Sequence, residues 1–308
     1  MIAGEEKHYR FVEKLALFAA ALFFASFSSV ADVLEGGYWK GAEDLRDGVK
    51  LKALSFDEPR LMKAWMMRID LRTPGISFVT SERAERWGEP MPDYTNSVML
   101  IRTKRERTVD FLMRKRASGR NVELAVNTSP WRPWCSPWNH KWADPNGWIV
   151  SDGEEVSPFK APSGEEALFV IYKDGRVDIT SRVSRENRAD VAHVHSGFSI
   201  IATNSTVLAD NRDRSLHPRT ALGLSRDKRF LFFLVVDGRQ PAYSLGAGLN
   251  DLCDMMFSAG ASDIINMDGG GSTTMVVYDH KENLPRMINR HKNGQMRTVA
   301  VNLGVVFD

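Results

Sequence analysis

Three consecutive glycines, Gly269, Gly270 and Gly271, follow the apolar run Asp263 to Met267 and precede the β-prone stretch Thr273-Thr274-Met275-Val276-Val277. Glycine loses more backbone freedom on folding than any other residue and forms strands poorly, so three in a row between two strands require a reason. Close approach of another group to that backbone is the reason the sequence offers. Exposed main-chain N–H groups in such a turn hold an anion or a sugar oxygen, and Asp268 just before them reads as a base, a nucleophile or an electrostatic stabiliser. The bland account is a tight turn whose aspartate accepts backbone hydrogen bonds. A P-loop is excluded, because it needs Gly-Lys-Ser or Gly-Lys-Thr leading into a helix, and the dinucleotide fingerprint fails for the same reason.

The 308 residues are 43% hydrophobic, which supports a substantial core and argues against wholesale disorder. Lys and Arg total 41 against 39 Asp and Glu, a net charge of +2, so no global field attracts nucleic acid or anionic lipid and any anion site must be local. Leu15 to Phe27 is an apolar run preceded by Arg10 and Lys14 and followed by Ser29-Val30-Ala31. It reads as a signal peptide over residues 1–31, its apolar run too short to span a membrane that needs about 20 helical residues, with an uncleaved anchor or a buried core helix as the alternatives, and it predicts an exported, periplasmic or extracellular protein with no stable membrane insertion after cleavage. Two cysteines, Cys135 and Cys253, are too few for a disulfide scaffold or a four-thiolate zinc site, and whether they pair is open.

With no repeat, low-complexity tract or clean linker, one domain from about Asp32 to Asp308 is expected, residues 32–120 forming its N-terminal part. Thr103-Lys-Arg-Glu106 has capping-box spacing, Val109, Leu112 and Met113 continue at helical intervals, and Gly119 is a stop. Val122 to Val126 reads as a strand ending at Asn127. Ala221 to Ser225 and Arg229 to Val236 read as a hairpin about Arg226-Asp227-Lys228. Leu249, Leu252, Cys253, Met256 and Phe257 mark one helical face ending at Gly260, and Asp263 to Met267 is the next strand. Strand, helix, strand predicts a crossover between parallel strands, which puts Asp237 and Asp268 at one sheet edge; the hairpin brings His217, Arg219 and Thr220 beside Asp237. The expected fold is α+β or mixed α/β, with a central mixed β-sheet flanked by helices.

Arg219, Arg239 and Arg297 each adjoin an expected strand end, and guanidinium forks hold phosphate bidentately; balancing of rim carboxylates is the alternative. Trp131, Trp134, Trp138, Trp142 and Trp148 surround a proline-stiffened loop and suit either a sugar face or simple packing. His193 and His195 alternate on one strand face, but no third ligand is evident, so satisfied or solvated histidines are expected. Ser196 and Ser272 lack the Gly-x-Ser-x-Gly context of a hydrolase elbow.

From about Asn121 to the end, these motifs resemble the phosphodiester glycosidase family. The resemblance rests on Asn127, Gly147 to Gly153, Ser196-Gly197-Phe198, His217-Pro218-Arg219-Thr220, Asp237-Gly238-Arg239, Ser244-Leu245-Gly246, Asp268 to Thr274, and Asn289 with Arg297, all in the family's order. The chain departs from it after Asn127, where Thr128-Ser129-Pro130-Trp131 replaces the usual small and aromatic residues. The resemblance implies an exported hydrolase that cleaves a sugar 1-phosphodiester at the anomeric carbon, acting on cell-surface or exopolysaccharide glycans. Asp268 and Asp237 would be catalytic. Arg219, Thr220, Arg239, Gly269, Gly270, Gly271, Ser272, Thr273, Asn127, Asn289 and Arg297 would bind substrate and phosphate. No cofactor is implied, and a divalent cation at the phosphate is left open. A non-catalytic sugar-phosphate binding module and an ordinary glycosidase are the competing readings.

Overall fold

A computed structural model describes residues 37–92, 94, 98–133, 140–161, 165–184, 186–208 and 215–308. The apolar run at residues 15–27, its cleavage site, Cys135, Trp134 and Trp138 lie outside the described residues. Among the described residues no helix is long and apolar enough to cross a membrane.

The run Phe230–Val236 is apolar at every position because it is buried on both faces. Leu231, Phe233 and Val235 point into one core and Phe230, Phe232, Leu234 and Val236 into another, the period of two dealing alternate side chains to opposite sides. This strand sits in an eight-stranded sheet with the order Glu43–Arg46, Val49–Phe56, Met62–Asp70, Phe230–Val236, Arg219–Leu224, Asp263–Asn266, Ser199–Thr203 and Thr206–Val207. On one face the helix Leu249–Ala259 packs Leu252, Cys253 and Met256 against Met66, Phe232 and Leu234. On the other, two five-stranded sheets supply Leu124, Val126, Met275, Leu303 and Val305, and Phe169, Ile171 and Val177. One of them carries Ile76–Thr80, Val122–Asn127, Met275–Asp279, Leu284–Met287 and Asn302–Phe307; the other carries Ile149–Ser151, Glu154–Ser157, Leu168–Tyr172, Val177–Thr180 and Val191–Ser196. A small fourth sheet joins Thr103–Lys104, Trp142–Pro145 and Trp131–Arg132 in that order.

The architecture corrects the expected helix-flanked α/β fold. The molecule is mostly β, with several antiparallel sheets, and the described residues contain two α-helices, Thr108–Ala117 and Leu249–Ala259. Short runs between turns pair as hairpins, so sheets, not helices, cover most of the central sheet. The predicted capping box also fails: Thr103–Lys104 is a strand, and the helix starts at Thr108 after Arg107 without a side-chain cap. Its expected stop at Gly119 stands, with φ at +87°, and Gly260 ends the second helix at φ +105°.

The hairpin forms as expected, with Arg219 opposite Val236 and Leu224 opposite Leu231. Asp263–Asn266 pairs on the far side of Arg219–Leu224, so it runs parallel to Phe230–Val236 with one strand inserted between them. Asp237 and Asp268 therefore leave their strands at the same edge. The N-terminal residues contribute strands to both the eight-stranded and a five-stranded sheet. Cys253 carries a free, buried thiol.

Candidate active site

At the shared edge the three glycines are each explained by a close neighbour. A Cβ on Gly269 would lie 2.7 Å from the Pro218 carbonyl oxygen. Gly270 takes φ +63° and donates its N–H to that same carbonyl at 2.8 Å, while a Cβ there would meet the Arg239 guanidinium at 3.2 Å. A Cβ on Gly271 would lie 2.7 Å from the Arg297 guanidinium. The run is thus a floor on which two arginines rest. Arg239 itself holds a left-handed backbone, φ +60°, a conformation that non-glycine residues rarely adopt and that clusters at functional sites.

Two asparagines brace this loop. Asn127 donates to the Asp268 carbonyl at 2.7 Å and accepts from the Thr274 N–H and the Thr220 hydroxyl, both at 2.9 Å. Asn289 donates to Asp237 Oδ1 at 3.1 Å and to the Thr273 carbonyl at 3.0 Å, and accepts from the Met275 N–H at 2.9 Å. The main chain of Arg290 donates to Asp237 Oδ2 at 2.9 Å. Asp237 is therefore held at its carboxylate, and Asp268 at its main-chain carbonyl.

A pocket of about 830 Å³ opens over this floor, and its walls include Arg105, Asp237, Arg239, Gly270, Gly271, Thr273, Asn289, His291 and Arg297. Burial pushes the Asp237 carboxyl up to about 6, against hydrogen bonds from Asn289 and Arg290 that favour its charge. Asp268 lies buried behind the glycines, and burial raises it to about 7 despite the nearby Ser272, Arg297 and Trp131. Neither Asp268 oxygen makes a well-formed hydrogen bond, and Ser272 Oγ, Thr273 Oγ1 and Trp131 Nε1 around the site likewise have none. Buried polar atoms left this way mark a place built for a ligand or a reacting group. Arg105 lies 4.2 Å over the Trp131 ring, and burial followed by the like charge of Arg297 lowers it to about 10. Burial lowers Arg297 too, with the Arg239 charge adding to the effect and Asp268 opposing it. Cations forced together out of water favour an anion between them.

Of the residues singled out from sequence, Asp237, Arg239, Gly270, Gly271, Thr273, Asn289 and Arg297 line the pocket, whereas Gly269, Asp268 and Ser272 belong to the same loop without being among its lining residues, Asp268 and Ser272 buried beneath it. Asn127 and Thr220 stand behind as braces. Arg219 does not join them: its guanidinium donates to the Ala247 and Ser215 carbonyls, both at 3.0 Å, and does not line the pocket. The Gly270 N–H, expected to face an anion, is spent on Pro218. Trp131, Trp142 and Trp148 are buried in packing rather than presented as sugar platforms. His193 and His195 are buried, and His195 is held by Thr80 at 3.0 Å and Thr128 at 2.8 Å, a satisfied histidine. Burial keeps it neutral, its pKa lowered to about 3. No group of three or more metal-ligating His, Cys, Asp or Glu occurs among the described residues.

Sequence reasoning missed Arg105 and His291. Arg105 stands in the charged run Arg102 to Arg107, which reads as a solvated helix start. His291 Nε2 lies 2.8 Å from Thr274 Oγ1, which donates onward to the Ser272 carbonyl at 3.0 Å.

Buried carboxylates thus stand beside clustered guanidiniums, on a framework of antiparallel sheets. The family model of phosphodiester glycosidases matches residues 120–306, and the chain belongs to that family. No curated protein matches it. Among solved structures, the zebrafish N-acetylglucosamine-1-phosphodiester α-N-acetylglucosaminidase catalytic domain, auto-inhibited by its pro-peptide, is similar with a TM-score of 0.54 at 19% identity, over 87% of this chain and 86% of that one. A hypothetical protein from Synechocystis gives 0.53 at 12% identity, over 86% and 63% of the two chains. A putative exported protein from Burkholderia pseudomallei gives 0.52 at 13% identity, over 80% and 74%. At these identities the likeness is one of fold.

Proposed function

We propose that this protein hydrolyses a sugar 1-phosphodiester at the anomeric carbon, releasing the sugar and a phosphomonoester. The observation that carries the reading is the seating of Arg239 and Arg297 on Gly270 and Gly271 in the pocket that Asp237 lines. In this reading Arg239, Arg297 and Arg105 hold the phosphate oxygens. The bond between the anomeric carbon and the bridging oxygen breaks, and the phosphomonoester leaves with the electron pair, its growing charge met by the guanidiniums. Such a leaving group needs little help from a general acid. Asp268 stabilises the positive character at carbon, either as nucleophile or as base for the incoming water, and Asp237 is the second carboxylate. Water supplies the new hydroxyl, and its other proton passes to the carboxylate. The proposal includes export, supported by the apolar run at Leu15 to Phe27, and glycans outside the cell as substrates.

The deciding experiment compares a sugar 1-phosphodiester with the aryl glycoside of the same sugar, following release of phosphomonoester or phenol. Preference for the phosphodiester by about 10²-fold or more in kcat/KM is expected, on the scale of lost anion stabilisation. Equal turnover of both would make this an ordinary glycosidase, and tight binding without product would make it a binding module.

A further inference from the structure

Two sequence motifs take no part in the catalytic pocket: Asn146-Gly147 at the start of the Gly147 to Gly153 segment, and Ser196-Gly197-Phe198. The fold brings them together. The Ser196 hydroxyl donates to the Asn146 carbonyl at 2.7 Å, and a Cβ on Gly147 would meet Ser196 Cβ at 2.7 Å, so the two segments are in direct contact. They form walls of a second pocket of about 400 Å³, together with Arg132, Lys160, Glu165 and Glu166.

The chemistry of this hollow is that of a sugar subsite. Phe198 is 53% exposed, the aromatic face among lining residues that are otherwise charged, polar or small. Its position is fixed by the backbone, since its N–H donates to the Asn266 carbonyl at 2.8 Å and a Cβ on Gly197 would press on that carbonyl at 2.7 Å. The Glu166 carboxylate is consumed internally, taking N–H donors from Lys160 at 2.6 Å, Ala161 at 2.9 Å and Trp148 at 2.6 Å, which pins the rim. The lining carries two cations, Lys160 and Arg132, both paired with Asp144, and two carboxylates, Glu166 and Glu165, the latter paired with Arg182. The walls thus present no net cationic or anionic demand. They offer an aromatic face, the exposed Asn146 and rim groups able to bond hydroxyls.

We propose that this pocket is a second carbohydrate-binding site, separate from the catalytic one, that takes a neutral hexose unit with its apolar face on Phe198. In sheet order, Asp263–Asn266 stands between the strand that Phe198 precedes and the strand that Arg219 begins, so the two pockets open at the same sheet edge on either side of the Asn266 to Gly270 segment. A polymeric glycan held at Phe198 is kept beside the catalytic pocket.

The test is a binding measurement, independent of turnover and hence of the phosphodiester reading. The full chain is titrated by ligand-observed NMR with neutral trisaccharides of glucose, galactose, mannose and N-acetylglucosamine. At least one is expected to bind with a dissociation constant on the order of millimolar. Phe198→Ala should weaken it about tenfold, whereas Phe198→Tyr and Arg239→Ala should leave it unchanged. Asn146→Ala, on the adjoining wall, should weaken it as well and serves if the Phe198→Ala chain does not fold. Failure of all four sugars to bind the wild type overturns the proposal, as does binding that Arg239→Ala removes and Phe198→Ala spares.

Discussion

Asp268 carries a conflict between function and stability that can be measured. Its pKa in the folded chain is about 7, against an unfolded value near 4. A carboxyl raised in this way contributes stability below its unfolded pKa and loses it as pH rises through the folded one, because the unfolded chain releases the proton more readily. Asp268→Asn is therefore expected to raise Tm at pH 8 by several degrees, at about 2–4 °C per kcal/mol, with the gain vanishing towards pH 4. The same substitution should lower kcat by about 10³-fold or more. Normal turnover in that variant would remove Asp268 from the reaction. Unmodified enzyme should gain kcat/KM with pH across the interval from about 6 to about 7, as Asp237 and Asp268 ionise. For the arginines, Arg239→Lys should cost about 10²-fold in kcat/KM, since a point charge cannot reproduce a fork on phosphate, while Arg219→Lys stays within about threefold. The difference between these two was readable in principle. Arg219 and Thr220 are consecutive on a strand and face opposite ways; Thr220 bonds to Asn127 on the loop side, which turns Arg219 from the pocket. Arg105 was not readable, because its place depends on Trp131 and on the Thr298 carbonyl, 193 positions away in sequence.

At the scale of elements, the glycine run behaves as a fitted surface. Gly271→Ala places a methyl group where the Arg297 guanidinium lies, so the fork must move by an ångström or so, and a displacement of that size costs about 10²-fold in turnover. Circular dichroism should remain that of the parent while kcat/KM falls; undiminished activity would mean that Arg297 need not sit there. Asn127→Ala removes the acceptor of Thr274 and Thr220 and the donor to Asp268 at once, leaving buried groups that each cost about 1–3 kcal/mol. Chemical denaturation is expected to show a loss of at least that size. The strand ends, the hairpin and the second helix were legible because each is local: a turn, a period of 3.6, a glycine cap. Sheet order was not, since the strand inserted between Phe230–Val236 and Asp263–Asn266 comes earlier in the chain than both. The expected helix layers failed for a related reason: short alternating runs say that strands exist, without saying that their sheets will do the covering.

At the scale of the molecule, Phe230–Val236 belongs to both major cores, and Asp237 is the very next residue. Cys253 offers a probe of that arrangement. It is buried in the helix layer, its thiol pushed up to about 12 by burial, so in a Cys135→Ser chain alkylation should wait for global unfolding and keep step with loss of activity in denaturant. Labelling well before activity is lost would mean that the helix layer opens on its own. A strand wedged between two hydrophobic layers has no slack on either side. Substitutions at Met66 or Leu252, with no atom near the substrate, will therefore register as altered turnover, and a search for faster variants has reason to begin in the interior, where small volume changes re-aim the carboxylate.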